Sequence, residues 1–462
     1  MTTKLAICAI IVFFLSISIA YEIMYTEYGG KITIYNAYLP IDMDPVWHIK
    51  NDELDMDKLL YDTLCRIDEA GNISLMLLKN ASMEGNVWHF ELYPNIYFAH
   101  KAALSSYDVG NSLMHIKDSP NPYSIMFKDI KSISELNALN LSVELNQPDA
   151  LFLQKLCHPS ASVVRRWKNM KGEEEIMGTG PFRIKENKLP ESITLQANEF
   201  YYKGKPFLNE ITFISSTKVN PMFYFKSGAV HLLSLWGNRL TAMNEIIASS
   251  IILEAKPPVH LFLLLNPQSN PTSDLKFRNW FERKINQAEI LQSLFNNRGQ
   301  VIKNLFSGTP KEKNHSAVKA NHTGEISILA LKRDLLSSLI AERIQAILIA
   351  EGFKTKIDYE DEKQYLAQQQ KGKFHMLVGM NASYFKNAEL NTMFFSSNYS
   401  YFSDYLMREE HSEPGNIEGE LLNESILIPL VSLKREYVAS DKIHFYMSSF
   451  NSFDELQNAW FF

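Results

Sequence analysis

Apolar and polar residues alternate along Lys31-Ile32-Thr33-Ile34-Tyr35, the period-two pattern of a strand with one buried face. Apolar positions recur at helical spacing from Leu54 to Leu64, which predicts a helix there. Val87-Trp88-His89-Phe90-Glu91-Leu92 alternates again as a strand. Ser105-Ser106-Tyr107-Asp108-Val109 opens a helix, with Ser105 and Asp108 at the spacing of a capping box, in which each satisfies a free amide. Gly178-Thr179-Gly180-Pro181 is a turn feeding a strand that begins Phe182-Arg183-Ile184. A loop of turn formers then leads into a second alternating strand, Glu210-Ile211-Thr212-Phe213. Gly228-Ala229-Val230-His231-Leu232-Leu233 reads as a short buried strand that delivers Ser234, Leu235 and Trp236 to a loop.

The second half has longer apolar runs. Pro257 to Asn266 is a continuous apolar strand ended by turn residues. Ser273-Asp274 starts an amphipathic helix carrying Phe277, Trp280, Phe281, Ile285, Ile290 and Leu294. Residues 309–324 form a polar loop, and Ile326-Ser327-Ile328-Leu329-Ala330 is a strand. Leu335 to Ala350 is a helix with Leu336, Ile340, Ile344 and Leu348 on one face, stopped by Gly352. Phe353 to Ile357 follows as a strand. Strand, helix and strand at this spacing predict a βαβ unit and a mixed α/β lobe. No internal repeat is visible.

Length changes the picture first: 462 residues exceed one small core and predict two or three domains. Composition is that of an ordinary globular chain, 46% hydrophobic and 21% charged. A formal charge of -6 without a basic run argues against a nucleic-acid partner. At the N-terminus, Lys4 precedes a nearly unbroken apolar run from Leu5 to Ile19, and Ser18-Ile19-Ala20 offers small residues for a signal peptidase. The run is shorter than the roughly 20 residues of a bilayer span. Export with cleavage after Ala20 is expected. Cys8 lies inside the run rather than after it, so a lipid anchor is not expected, and a periplasmic location follows. Only Cys65 and Cys157 then remain; export permits a disulfide, but two cysteines this far apart read as buried thiols.

Several of these elements occur in an order that resembles the family 5 extracellular solute-binding proteins, the dipeptide/oligopeptide receptors of ABC importers. Gly178 to Phe213, with Asn198, Tyr201-Tyr202 and Gly204-Lys205-Pro206, resembles a family signature. Met43-Asp44-Pro45 matches the family's Leu-Asp-Pro, where the first strand ends at the ligand cleft. Leu60-Tyr61-Asp62-Thr63-Leu64 with Asp68 and Gly71, Trp88-His89-Phe90-Glu91-Leu92, and Asp274 to Arg278 match further landmarks. The resemblance covers most of residues 31–440. It implies an α/β fold, a two-lobed type II periplasmic binding protein with an inserted subdomain in the first lobe. The signal peptide would span 1–20. Lobe I would comprise 31–45, 160–256 and 432–462, the inserted subdomain 46–159, and lobe II 257–431.

The ligand site implied by the resemblance includes Ile41, Asp42, Asp44 and Trp47 after the first strand, and Trp236 on the same wall. On lobe II, Met380, Asn381, Ser383 and Tyr384 occupy the place of the peptide receptors' Trp-x-Ala-Asp-Tyr. There the Asp pairs with the peptide's α-amine; here that position is Ser383. A charged hydrogen bond contributes roughly 1.5–3 kcal/mol against about 1 for a neutral one. Unless Asp42, Asp44 or Glu389 takes over, free-amine peptides become disfavoured ligands.

Other constellations carry less. His315 and His322 read as solvated surface histidines rather than a metal site. Asp358, Glu360, Asp361 and Glu362 read as a solvated turn after a strand. No hydrolase or nucleotide motif is present, and neither a cofactor nor an enzyme is expected. The expected function is a periplasmic receptor, a monomer, that captures a small solute, peptide-like or other, and delivers it to an ABC permease of the inner membrane. The alternative is a ligand-sensing regulatory protein using the same domain. A DNA-binding helix pair before the first strand is not expected.

Overall fold

A computed structural model describes residues 28–36, 39–40, 42–68, 71–168, 172, 174–215, 221–235, 250–306, 317–319, 322–332, 334–382, 390, 417–445 and 453–461. The first strand, β1 (Lys31–Tyr35), buries Ile32 and Ile34 as its alternation predicts. A short 3-10 turn over Pro45–Trp47 leads into α1 (Asn51–Leu60). The sequence placed this helix over 54–64; it starts and ends earlier. The reason is a hydrogen bond: the Leu60 carbonyl accepts from the Gly180 amide at 3.1 Å. Tyr61 accordingly leaves the helix in an extended conformation.

After α1 the chain forms the hairpin β2 (Cys65–Ile67) and β3 (Ile73–Leu75). A four-stranded antiparallel sheet follows, ordered β4 (Leu78–Glu84), β5 (Val87–Leu92), β7 (Asn140–Leu145) and β6 (Ile130–Asn137). Helix α2 (Ser106–Asp118) packs on it, with the capping box at its start: Asp108 Oδ2 accepts from the Ser105 amide at 2.9 Å. Trp88, Phe90, Phe127 and Phe152 fill a cluster separate from the other cores. A ribbon of β8 (Arg165–Lys168) and β9 (Glu174–Met177) returns the chain to the first lobe.

There β10 (Phe182–Lys188), β11 (Ser192–Ala197) and β12 (Glu210–Ile214) join β1, with β13 (Leu232–Leu235) on its other side. Both neighbours of β1 are parallel to it, so the carboxyl ends of β12, β1 and β13 lie side by side. The large sheet continues through β14 (Ile251–Leu265), which the sequence started at Pro257. The second lobe adds α3 (Leu275–Lys284), α4 (Gln287–Phe295) and β15 (Gly299–Val301). One continuous helix was expected over α3 and α4. Instead Asn286 caps the second, its Oδ1 accepting from the Glu289 amide at 3.1 Å.

The predicted βαβ unit is present as β16 (Glu325–Leu331), α5 (Leu335–Ala350) and β17 (Lys354–Glu360), with the two strands parallel. Helix α6 (Glu362–Gln370) leads to β18 (Met376–Ala382), parallel to β16. The acidic run is therefore no solvated turn. Asp358 and Glu360 lie in β17, Asp361 stands at the N-cap of α6, and Glu362 is that helix's first residue. Helix α7 (Ile417–Asn423) precedes β19 (Leu427–Ala439), and β20 (Ile443–Phe445) and β21 (Ala459–Phe461) form a final small ribbon.

Strands β14 and β19 pair antiparallel over nearly their full lengths and carry the chain between the lobes. Ala255 pairs with Arg435 and Val259 with Leu433, so Lys256, Pro257 and Pro258 face Lys434 alone. Two prolines cannot donate to the ladder, and the bulge falls where the sheet passes from one core to the other.

The signature Gly178-Thr179-Gly180 is explained by this packing. A Cβ on Gly178 would meet the Leu60 carbonyl oxygen at 2.3 Å, and one on Gly180 would meet the Leu60 carbonyl carbon at 2.5 Å. Between them, the Thr179 hydroxyl donates to Asp62 Oδ2 at 3.1 Å. We expect Gly180→Ala to destabilise the protein by about 2–3 kcal/mol, read as a lower urea midpoint. Gly204 faces open space at a φ of +105°. Gly204→Ala therefore costs only the backbone term, about 1 kcal/mol. Equal losses at the two positions would contradict the packing account.

Candidate functional site

Ligands of parallel α/β sheets bind beyond the carboxyl ends of the strands, where strand order reverses about a central strand. In the first lobe that edge is formed by β12, β1 and β13. In the second it is the end of β17, β16 and β18, from which α5 and α6 start. The two edges meet. Lys363 of α6 reaches Asp42 Oδ2 at 3.2 Å, and its ammonium lies 5.5 Å from the Trp47 ring centroid. Lys50, before α1, lies 3.4 Å from Glu362 Oε1 and 3.8 Å from Asp334 Oδ2 at the start of α5. Ile49 packs on the clusters of both the inserted region and the second lobe.

Residues 42–50 form the first lobe's contribution, and buried groups hold them rigidly. His48 Nδ1 lies 2.9 and 3.0 Å from the two Asp57 oxygens, and Nε2 lies 3.0 Å from the Asp42 carbonyl oxygen. All three partners are acceptors, so an imidazolium, donating from both nitrogens, satisfies the arrangement. Burial alone would depress His48; the Asp57 carboxylate beside it holds it well above its usual range. Tyr123 donates its hydroxyl to the His48 carbonyl at 2.5 Å, and Tyr61 to the Met43 carbonyl at 2.8 Å.

Asp44 is committed to the same scaffold. Its Oδ1 accepts from Arg166 at 2.8 Å, its Oδ2 faces His115 Nε2 at 2.9 Å, and it caps the turn at the Val46 amide. Burial would raise its pKa, but His115 and Arg166 prevail and hold it at about 2. Glu53 moves the other way. Burial foremost, then the Glu362 carboxylate across the gap, pushes it up to about 8. It is thus a neutral acid at pH 7, and Oε2 accepts from the Ile49 and Lys50 amides at 3.1 and 3.0 Å.

Of the residues expected at the site, Asp42, Asp44 and Trp47 lie together on the first lobe's edge. Met380 is half-buried in β18, paired with Leu261, and packs between two clusters of the second lobe. The backbone of Asn381 pairs with His260. Ile41, Trp236, Ser383 and Tyr384 lie outside the described residues, as do the Asn381 side chain, Glu389, His315 and the 1–20 segment. His322 is half-buried, its ring centroid 6.5 Å from that of His375, so it is no freely solvated surface residue. Among the described residues no group of three or more His, Cys, Asp or Glu could hold a metal ion.

Sequence reasoning missed Lys50, Asp334, Glu362 and Lys363. The strand-then-Asp pattern before α5 and α6 marks two helix starts at a sheet edge and could have pointed to three of them. Also missed was Asn36, directly after β1. It is buried, and among the described residues neither atom of its side-chain amide has a hydrogen-bond partner. A polar residue closing an alternating strand was its one signal.

Comparison with known proteins bears on the family and the fold. The family model for bacterial extracellular solute-binding proteins, family 5 Middle, matches residues 74–402. The nickel-binding periplasmic protein of Escherichia coli K12 is 22% identical over 382 residues, 72% of each chain. The peptide transport periplasmic protein SapA of Salmonella typhimurium is 25% identical over 197 residues, 39% of this chain and 35% of that one. Among solved structures, the periplasmic binding protein DppA from Helicobacter pylori in complex with the peptide STSA superposes with a TM-score of 0.76 at 18% identity. That match covers 94% of this chain and 99% of the other.

The scaffold predicts opposite pH responses from two groups. His48 is raised above its ordinary 6.5, so its contribution is complete below that value and declines as pH rises through the folded pKa. Asp44 is depressed from 3.8 to about 2, so its contribution is present above 3.8 and is lost as pH falls toward 2. We expect His48→Gln to cost about 3 kcal/mol at pH 6 and to flatten the alkaline limb of a urea-stability profile while leaving the acid limb. An unchanged alkaline limb would refute the buried imidazolium.

Proposed function

The chain belongs to the family 5 bacterial extracellular solute-binding proteins, and from that membership we propose that it is a periplasmic receptor for an ABC permease. In this reading a small solute is captured between the lobes, which close over it about the β14–β19 crossing. The observation that carries the reading is the meeting of two sheet edges through Lys50 and Lys363. The domain limits drawn from the sequence are retained, with residues 257–431 as the lobe that moves. A regulatory role is not favoured, since the matched family is one of solute-binding proteins.

Asp42, Trp47 and Met380 are proposed to border the solute, with Ile41, Trp236, Asn381, Ser383 and Tyr384 completing the walls. Asp44 acts in this reading by fixing the loop, because its two oxygens are occupied by the Arg166 guanidinium and the His115 ring. Asn36 offers a buried amide whose pairing by a guest would remove a penalty of about 1–3 kcal/mol. The screen for the solute includes peptides with free and blocked amines, sugars, cationic metabolites, and nickel alone and chelated. The last are included because one relative binds nickel.

Closure is expected in solution scattering as a fall in radius of gyration when a member of the screen binds. The receptor reading fails if nothing in the panel binds and the lobes stay fixed. Lys50→Ala leaves Glu53, Glu362 and Asp334 facing one another without the cation, and is expected to weaken the identified solute about tenfold or more, through loss of the closed state. Lys363→Ala removes an exposed ion pair and the ammonium beside the Trp47 ring, and is expected to weaken it severalfold at most. Mature protein from the periplasmic fraction should begin at Tyr21, as N-terminal sequencing would show; an intact Met1 there would contradict cleavage.

A further inference from the structure

Cys65 opens β2 and Cys157 follows the one-turn helix Phe152–Lys155, 92 positions later. The two sulfurs stand 3.0 Å apart, inside the roughly 3.5–4.0 Å at which even carbon atoms pack. Both point at one acceptor, the Leu153 carbonyl oxygen, at 3.1 and 3.3 Å. Both are buried thiols within the inserted region's own cluster, which also holds Leu64, Phe152 and Leu156. The buried thiols expected from the sequence are present, and the two face each other.

Three uses of such a pair can be weighed. A metal centre needs further ligands, and no group of three or more candidate ligands occurs among the described residues. A reactive thiolate needs a cationic or polar setting that stabilises it. Here the neighbouring Cys157 thiol and burial push Cys65 up instead. What remains is covalent pairing, and the geometry asks only for the sulfurs to approach by about 1 Å to the bond length of about 2.05 Å.

We propose that Cys65 and Cys157 are joined by a disulfide bond in the mature protein, a clasp at the base of the inserted subdomain. The proposal rests on the export reading above, because only an oxidising compartment sustains such a bond. The link would close a loop holding β3 to β7 and α2, and so restrict the unfolded chain over nearly the whole subdomain. Formation proceeds by exchange with the disulfide of a thiol oxidoreductase. One cysteine thiolate attacks the donor disulfide, and the second displaces the donor thiol from the mixed disulfide. Two thiols lose two electrons and two protons, and the donor disulfide is reduced to two thiols. Since both sulfurs are buried once the cluster packs, the exchange precedes closure of the subdomain core.

The full chain, unfolded and reduced, is refolded with oxidised glutathione or with reductant, quenched in acid, and alkylated in denaturant. Peptide mapping, which separates Cys8 from the pair, is expected to find the Cys65 and Cys157 peptides linked after oxidative refolding. The oxidised protein should melt several degrees above the reduced one, and Cys65→Ser/Cys157→Ser should be insensitive to reductant. Alkylation of both cysteines, or glutathione on each without a cross-link, overturns the proposal through its geometry. The same mapping on protein taken from cells without prior reduction tests the premise. A link that forms on refolding but is missing there overturns the proposal through export.

Discussion

The tight approach of Gly178 and Gly180 to the last turn of α1 is the contact on which the rest of the first lobe depends. No side chain fits between them, since any Cβ would enter the Leu60–Tyr61 backbone. The approach lets the Gly180 amide take the Leu60 carbonyl, which ends α1 and turns Tyr61 to donate to the Met43 carbonyl. It also brings Thr179 to the buried Asp62, whose other oxygen pairs with Arg66. Asn198 completes the knot by donating to the Gly180 carbonyl at 2.8 Å. Stretches more than 100 residues apart in sequence are thus one packed object, which is why they stand out together in the chain.

From that knot α1 carries order toward the second lobe. Its middle is tied to the crossing strand: Arg435, fully buried, meets Asp52 at 2.8 Å and Asp55 at 2.5 Å, and Tyr437 also donates to Asp52. The same arginine donates to the Lys256 carbonyl, and Asn51 donates to the Pro257 carbonyl, at the bulge between lobes. Beyond the helix start, Lys50 faces Asp334 and Glu362. One helix therefore senses both the crossing and the opposing edge. Among the described residues, Lys50 and Lys363 form ion pairs across the mouth. The Lys363–Asp42 pair is largely exposed and contributes about 0–1 kcal/mol.

What could be read from the sequence followed from local rules. Alternation located Lys31–Tyr35 and Val87–Leu92, and helical periodicity with a glycine stop located Leu335–Ala350, each to the residue. The errors arose where a distant partner overrode the local pattern. Tyr61 to Leu64 are buried and look helical, yet their path is set by Gly180. The split at Asn286 was readable, because Asn followed three residues later by Glu is a helix start, but the apolar pattern on either side concealed it. The site was legible only as an address. Asp42, Asp44 and Trp47 do gather at one edge, but nothing in their order says that Asp44 is consumed by Arg166 and His115. Lys363 is separated from Asp42 by most of the chain, and pairings at that range leave no periodic trace.

The charges at the mouth bear on what a guest can gain. An ammonium bound beside a free carboxylate is favoured because it removes an unpaired charge from a dry place. Asp44 offers no such place, as its two oxygens are already taken by Arg166 and His115 and it stays ionised down to about pH 2. Glu53 is neutral at pH 7 and spends one oxygen on backbone amides. Asp42 is reachable, but a guest ammonium would take it only by displacing Lys363, one exposed ion pair for another with little net change. Selectivity for an amine cannot come from an exchange that balances. In the proposed reading, discrimination on the first lobe's edge falls instead to shape, to the Trp47 ring and to the Asn36 amide, which has no partner among the described residues, groups that reward a guest for its surface and hydrogen-bonding rather than for its positive charge.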